Sequence, residues 1–352
     1  MKILGIETSC DETSAAVIED GHSMLSNVVS SSIDLHIPYG GVVPEVAARS
    51  HLEVIIPVID QALVQAKCEW QDIDAIAVTY GAGLGGSLLI GVLSARSLAL
   101  AFDKPLYGVN HVESHVYANF LTATSLPGYT MPVEQPEFPM LAVIVSGGHS
   151  QLVLFKNHFS YVLLGRTLDD TIGEAFDKVA KILGLPYPGG PSIGKMAKNG
   201  DAYAYTFPIA KMNKYDFSFS GLKTAVLRAA QAEIGENYDF PSTKLAERLS
   251  EPQKANIAAS FQRIAVETIV EKVIKAFNEY SPKSVVLAGG VASNEELRNK
   301  LSNRLPISIN YPDTKLCTDN GAMVGALGYF KASSHQPASD PYSLDIASNL
   351  SM

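Results

Sequence analysis

Cysteine is scarce. The 352-residue chain has three, Cys10, Cys68 and Cys317, far apart and without a Cys-x-x-Cys pair. An odd, scattered set excludes a disulfide framework and points to a reducing, cytoplasmic setting. Charge is sparse too, at 18% of residues, and its balance is −9. That balance argues against a chain coated by nucleic acid, though it leaves room for a local basic surface. No apolar run reaches the length expected of a membrane span, so no membrane partner is expected. The opening Met1-Lys-Ile-Leu-Gly-Ile6 reads at once as a strand, without signal or transit character. What is plentiful is glycine, 27 residues, within 47% hydrophobic content. The length suits two cores rather than one, and the glycine suits buried parallel strands joined by tight turns.

The densest chemical pattern is Pro105-Leu-Tyr-Gly-Val-Asn-His-Val-Glu-Ser-His115. A short strand feeds a segment whose two histidines are four apart. On a helix, His111 and His115 share a face and can grip one metal ion. Alone, such a pair is more often a solvated or capped helix face. Two imidazoles do not complete a coordination sphere, so a third ligand must come from elsewhere. Asp319, in Cys317-Thr-Asp-Asn-Gly321, is the best candidate, with a compatible second role as N-cap of the helix that follows. Two histidines and one carboxylate with open positions suit Fe(II) or catalytic Zn(II).

Residues 3–18 read as a hairpin with small and acidic residues at its tip. The Ser9 and Thr13 hydroxyls there suit a phosphate, and Asp11 and Glu12 suit proton transfer or water positioning. An ordinary polar turn would look the same. His36 to Pro44 is loop-like, and Pro44 to Lys67 is helical by period with a restart near Pro57. A strand at 74–79 runs into Gly81-Ala-Gly-Leu-Gly-Gly86 and a helix from about Ser87. That resembles a dinucleotide fingerprint, but the acidic residue expected at the end of the next strand is missing. What remains is a helix N-terminus that can approach an anion or another backbone. A Pro-rich stretch at 122–139 is a surface loop or connection.

The pattern then restarts. A hairpin at 140–155 repeats the first, and Ser284 to Asn294 repeats the strand, glycine turn and helix of residues 74–102. An internal duplication is the economical account, giving two α/β halves with a nucleotide-type cleft between them. From Lys178 to Arg228 there are eight Lys/Arg against two Asp and no Glu, with aromatic rings interleaved. Such a stretch suits looped RNA and equally suits a solvated face over core aromatics.

These pieces together resemble the TsaD family, the tRNA adenosine N6-threonylcarbamoyltransferases once called O-sialoglycoprotein endopeptidases. The matching stretches are Gly5-Ile-Glu-Thr-Ser-Cys-Asp-Glu-Thr13, Gly40-Gly-Val-Val-Pro-Glu-Val-Ala-Ala-Arg-Ser-His51, His111-Val-Glu-Ser-His115, Val145-Ser-Gly-Gly-His149, Gly173-Glu-Ala-Phe-Asp-Lys178, Tyr187-Pro-Gly-Gly-Pro191, Phe217-Ser-Phe-Ser-Gly-Leu-Lys223, Gly289-Gly-Val-Ala-Ser-Asn294 and Cys317-Thr-Asp-Asn-Gly321. The Ser-Cys-Asp-Glu-Thr form of the first hairpin resembles the bacterial and mitochondrial branch, and the lack of transit character favours the bacterial type.

The resemblance implies an actin/Hsp70-like ATPase (ASKHA) fold of two duplicated ribonuclease-H-like lobes. Residues 1–121 would form the N-terminal lobe, completed by a helix at about 320–334. Residues 122–139 would be a Pro-rich loop, 140–319 the C-terminal lobe and 335–352 a loose polar tail. His111, His115 and Asp319 would bind one metal ion, Fe(II) in the family, with Zn(II) or Mg(II) as alternatives. Val145, Ser146, Gly147, Gly148, His149, Asp177, Gly190 and Asn294 would hold an adenine nucleotide, threonylcarbamoyl-AMP or ATP. The acceptor would be the adenosine beside the anticodon in tRNAs reading codons that begin with A. Partners implied are tRNA, a smaller TsaB-type paralogue, a TsaE-type ATPase and an upstream TsaC-type synthase. Two rival activities are a small-molecule kinase of the same fold and a metallopeptidase. The second lacks the glutamate directly after the first histidine, since Glu113 is displaced by one position.

Overall fold

Ile3, Leu4 and Ile6 have no exposed surface. This explains why β1 (Lys2–Glu7) is a continuous apolar run rather than an alternating one: both faces of the strand are covered. The computed structural model describes the whole chain, Met1–Met352. It divides into two units, Met1–Pro136 with Asn310–Met352, and Glu137–Ile309.

The first unit is built on a seven-stranded sheet. β1 pairs antiparallel with β2 (Glu12–Glu19), Glu7 lying opposite Ser14. On its other side β1 runs parallel to β5 (Ala75–Gly81), and β5 runs parallel to β6 (Leu106–Asn110). β3 (Ser23–Met24), β4 (Val28–Ser31) and β7 (Ala123–Thr124) complete the sheet beyond β2. The helix Gly321–Ser333 lies directly on β1. Its glycines permit that approach: a Cβ on Gly5 would stand 2.2 Å from the Gly321 carbonyl oxygen and 2.3 Å from the Gly325 nitrogen.

The second unit repeats the kernel. β8 (Met140–Val145) pairs antiparallel with β9 (Ser150–Asn157) and parallel with β11 (Ser284–Ala288). β10 (Ser160–Arg166) extends the sheet beyond β9, and β12 (Ile309–Asn310) ends it beyond β11. In each unit a hairpin and one parallel strand are followed by a glycine turn and a helix, Gly85–Phe102 in the first and Glu295–Arg304 in the second. The duplication legible in the sequence is therefore present as topology.

Three local expectations differ from the structure. Pro44–Ala66 is one unbroken helix with Pro57 inside it. Pro57 is exposed, so the carbonyl left without its helical donor faces solvent and the helix need not restart. The helix Gly85–Phe102 does reach the length and apolarity of a membrane span. Its Leu88, Val92, Ala95 and Ala99 are buried in the first unit, which accounts for that apolarity. The segment 335–352 is tied down rather than loose. The Arg96 guanidinium donates to the carbonyls of Pro341 and Tyr342, each at 2.6 Å, and of Leu344 at 3.3 Å. Leu344 and Ile346 pack against the first core. Two apolar side chains in a polar stretch were too few to give a periodic signal.

Candidate metal centre

His111 opens a seven-residue helix, His111–Tyr117, every residue of which is buried. β6 delivers the chain to it, and Asn110 caps it, its side-chain oxygen accepting from Val112 N at 2.8 Å and Glu113 N at 3.3 Å. With entry and cap fixed, the four-residue spacing does what helical geometry requires. The two imidazoles meet edge to face, ring centroids 4.7 Å apart.

Asp319 comes to them from the turn before Gly321–Ser333. The N-cap is Asn320, whose Oδ1 accepts from Met323 N at 3.0 Å. The capping role considered for Asp319 therefore falls to its neighbour, and the Asp319 carboxylate faces the histidines. Its Oδ1 lies 3.2 Å from His115 Nε2 and 3.6 Å from His111 Nε2. Ligand atoms of His111, His115 and Asp319 all lie within 4.8 Å of one another.

Sequence reasoning missed Glu7. Wholly buried at the end of β1, its Oε2 lies 3.3 Å from His111 Nδ1 and accepts from Thr79 Oγ1 at 2.6 Å, while Oε1 accepts from Ser9 N at 2.6 Å. A carboxylate only accepts, so His111 carries its hydrogen on Nδ1 and turns Nε2 toward Asp319. This outer carboxylate is the usual partner of a metal-binding histidine. Its signal was a lone acid closing an apolar strand. The donor set fits a divalent cation: two imidazole nitrogens and a carboxylate oxygen converge in a buried place, and a second carboxylate orients one ring.

Burial alone would lower His111, but the Asp319 and Glu7 carboxylates outweigh it and raise it to about 9. Glu7 stays below its ordinary value although burial opposes ionisation, because His111 faces it and donates to it. A cation must displace the His111 proton. Affinity is therefore expected to rise about tenfold per pH unit up to about pH 9 and then level off. Competition of Zn(II) against a chelating indicator measures this, and a flat profile would remove His111 from the ligand set.

Asp11 and Glu12 are neighbours at the hairpin tip, and the Ser31 hydroxyl donates to Glu12 Oε1 at 3.3 Å. Burial, then the charges of Asp319 and Asp11, raise Glu12 to about 9. The hydroxyls expected to meet phosphate are spent elsewhere. Ser9 Oγ lies 3.0 Å from His111 Nδ1 and Thr13 Oγ1 lies 2.7 Å from His51 Nδ1, both residues being buried. The glycine turn 81–86 approaches backbone rather than an anion: Leu84 N donates to the Ser9 carbonyl at 2.8 Å and Gly83 N to Ser348 at 3.1 Å. Glu113, two residues past His111, turns away from the histidine face; its electrostatic partner is Lys331, and burial raises it to about 7. A metallopeptidase would need that carboxylate on the metal side.

In the second unit the turn from Ser146 to His149 is closed by Ser146 N donating to the His149 carbonyl at 2.8 Å. Gly147 and Gly148 are exposed, and nothing stands within 4 Å of where their Cβ atoms would be. The N-terminus of helix Ile172–Leu183 abuts the turn: Thr171 Oγ1 donates to the Gly147 carbonyl at 2.7 Å. Asp177 accepts from Gly189 N at 2.7 Å, which holds the turn before Gly190. Asn294 caps Glu295–Arg304 through Leu297 N, 3.0 Å, and donates to Gln262 at 3.1 Å. The basic and aromatic stretch resolves mainly into core, since Phe207, Tyr215, Phe217 and Phe219 are buried. Tyr203, 78% exposed beneath the Arg263 guanidinium, remains a stacking surface.

Comparison with known proteins agrees with this geometry. The model of the family described as TsaD, tRNA N6-adenosine threonylcarbamoyltransferase, matches residues 23–326. The enzyme of that description from Thermomicrobium roseum is 50% identical, covering 94% of this chain and 92% of its own. That from Staphylococcus saprophyticus is 47% identical, covering 93% and 90%. Among solved structures, Acidaminococcus fermentans (R)-2-hydroxyglutaryl-CoA dehydratase component A superposes with TM-score 0.50 at 16% identity, over 95% of this chain and 99% of that one. HypF, in its phosphate- and nucleotide-bound form, gives 0.57 at 14% identity, over 96% of this chain and 47% of that one. At such identity these two show the fold alone: the chain has the ASKHA architecture.

Proposed function

The chain belongs to the TsaD family of tRNA N6-adenosine threonylcarbamoyltransferases, and from that premise we propose how its residues carry out the transfer. It is a transferase that places a threonylcarbamoyl group on N6 of adenosine in tRNA. The donor is threonylcarbamoyl-AMP, and the acceptor is the adenosine beside the anticodon in tRNAs reading codons that begin with A. A tRNA substrate is in keeping with a cytoplasmic setting.

N6 is a weak nucleophile because its lone pair is delocalised into the purine. As it attacks the carbamoyl carbon, a C–N bond forms, the bond to the phosphate oxygen breaks, and AMP leaves with the electron pair. N6 must also lose a proton. The Asp11 and Glu12 carboxyls at the hairpin tip suit that proton: a carboxylate there would accept the one proton N6 releases as AMP leaves. His111, His115 and Asp319 would hold a single divalent cation, Fe(II) first and Zn(II) or Mg(II) as alternatives. When bound, it supplies positive charge to orient the donor and polarise its carbonyl. Glu7 and Ser9 keep the His111 ring in place for it. Val145, Ser146, Gly147, Gly148, His149, Asp177, Gly190 and Asn294 form the nucleotide-holding set. In favour of this is the open Gly147–Gly148 backbone at a helix N-terminus, which suits a phosphate.

The single observation that carries this reading is the convergence of His111, His115 and Asp319 on one point. A small-molecule kinase needs a carboxylate and a Mg–nucleotide site, and has no use for the two histidines. A TsaB-type paralogue, a TsaE-type ATPase and a TsaC-type donor synthase are the expected partners. Exposed Leu52 and Ile56 on one helix, and Leu89 and Leu93 on another, offer apolar surface for one of them.

The test supplies the chain, with and without those partners, with labelled threonylcarbamoyl-AMP and unmodified tRNA. Threonylcarbamoyladenosine in the tRNA is the expected product. No transfer under any condition, with ATP-dependent phosphorylation of a small molecule instead, would overturn the reading.

A further inference from the structure

The stretch from His36 to His51 has no task in the transfer as described, yet it places two buried imidazoles around the β1–β2 tip. Neither ring has exposed surface. His51, on the helix Pro44–Ala66, sets Nε2 3.0 Å from the Cys10 carbonyl oxygen. A carbonyl only accepts, so the ring proton is on Nε2, and Nδ1 accepts from the Thr13 hydroxyl at 2.7 Å. His36 is assigned the same way. Val43 N donates to its Nδ1 at 3.2 Å, so Nε2 carries the proton and donates to Ser32 Oγ at 3.2 Å. That hydroxyl donates onward to the Asp11 carbonyl at 2.8 Å, which also receives Ser32 N at 2.9 Å.

Two successive carbonyls of the tip are thus each held through a buried histidine: Cys10 directly by His51, with the Ser87 hydroxyl donating beside it at 3.3 Å, and Asp11 by the His36–Ser32 relay. Burial keeps His51 below its usual range, as suits a fixed donor rather than a proton carrier. Neither histidine is among the three converging ligands. The carboxyls of Asp11 and Glu12 hang from the backbone that these hydrogen bonds fix.

We propose that His36 and His51 are positioning residues, which lock the Cys10–Asp11–Glu12 backbone so that the carboxyl pair meets the adenosine amine at a set distance. This rests on the proton-transfer reading of Asp11 and Glu12 above. It gives the Gly40–His51 motif a purpose beyond packing: one side chain in it and one just before it hold the reacting tip from behind.

The test is steady-state transfer by the full chain with its partners, comparing His51→Leu, His51→Gln and Ser32→Ala. A displacement of about 1 Å in reacting groups costs about a hundredfold in rate. His51→Leu is expected to lower kcat by about tenfold to a hundredfold while KM for tRNA changes by less than about twofold. His51→Gln keeps an N–H for the Cys10 carbonyl, so its kcat should stay within about threefold of wild type. Ser32→Ala cuts only the His36 relay and should lower kcat by about tenfold. Zn(II) stoichiometry should be unchanged in all three. If His51→Leu does not fold, the other two variants decide. Wild-type kcat in Ser32→Ala and His51→Leu would overturn the proposal, as would a His51→Gln as slow as His51→Leu. Asp11→Asn and Glu12→Gln run beside them. Full activity in those two would remove the proton-transfer reading itself, whereas their loss of activity with intact positioning variants removes only this inference.

Discussion

Asp319→Ala is expected to empty the metal centre and to lower transfer by about a thousandfold, since a bound cation contributes several kcal/mol of charge stabilisation. Asp319 Oδ1 is the common neighbour of both Nε2 atoms, at 3.2 and 3.6 Å. Without it two imidazoles remain, too few to hold a divalent ion against water. The fold should survive, because the cap of the following helix is Asn320. Metal analysis of the purified variant should therefore fall from one ion per chain to near none while the thermal transition persists. A second readout separates loss of the ligand from general damage. Asp319 is the foremost charge raising His111 to about 9, so the His111 titration followed by NMR should move down in the metal-free variant. Wild-type metal content in folded Asp319→Ala would remove Asp319 from the centre.

The frame of that centre was legible because its signals are local. A histidine pair at helical spacing, a hairpin with an acidic tip and a strand–glycine–helix unit each declare themselves within about twenty residues. What escaped reading depends on contacts across long separations. Glu7 looked like the start of a polar turn; only the parallel pairing of β1 with β5, and of β5 with β6, brings it to His111. Ser9 and Thr13 looked available for phosphate because hydroxyls at a turn usually are, and the histidines that claim them come from 102 and 38 residues away. Phe217 and Phe219 fitted stacking rings and core rings equally, because spacing cannot say which way a ring faces, and both are fully buried. Asp319 and Asn320 are adjacent polar residues before a helix, and nothing in their order says which becomes the cap. The geometry divides the two tasks between them.

Gly5→Val is expected to be the most damaging single change away from the ligands. Its Cβ would stand 2.2 Å from the Gly321 carbonyl oxygen and 2.8 Å from the Gly325 Cα, both backbone atoms. A flexible side chain could yield to such a contact, but here the whole helix Gly321–Ser333 would have to lift off β1. Overpacking costs about 1–3 kcal/mol when side chains can adjust, so this substitution should reach the top of that range, about 3 kcal/mol, or leave no soluble protein. The same helix carries Asp319 two residues before its start. A folded remnant should therefore lose metal affinity as well as stability, although residue 5 is not a ligand. Gly221→Ala is the control. It sits in the helix Ser220–Glu233 with nothing within 4 Å of the added Cβ, and alanine should raise stability by up to about 1 kcal/mol. Denaturant unfolding with a parallel Zn(II) titration reads both effects. If Gly5→Val lost stability but bound metal as wild type does, Asp319 would not depend on the contact between β1 and its helix. If both fall together, the metal centre owes its geometry to glycine, the residue this sequence has in plenty, as much as to the histidines that mark it.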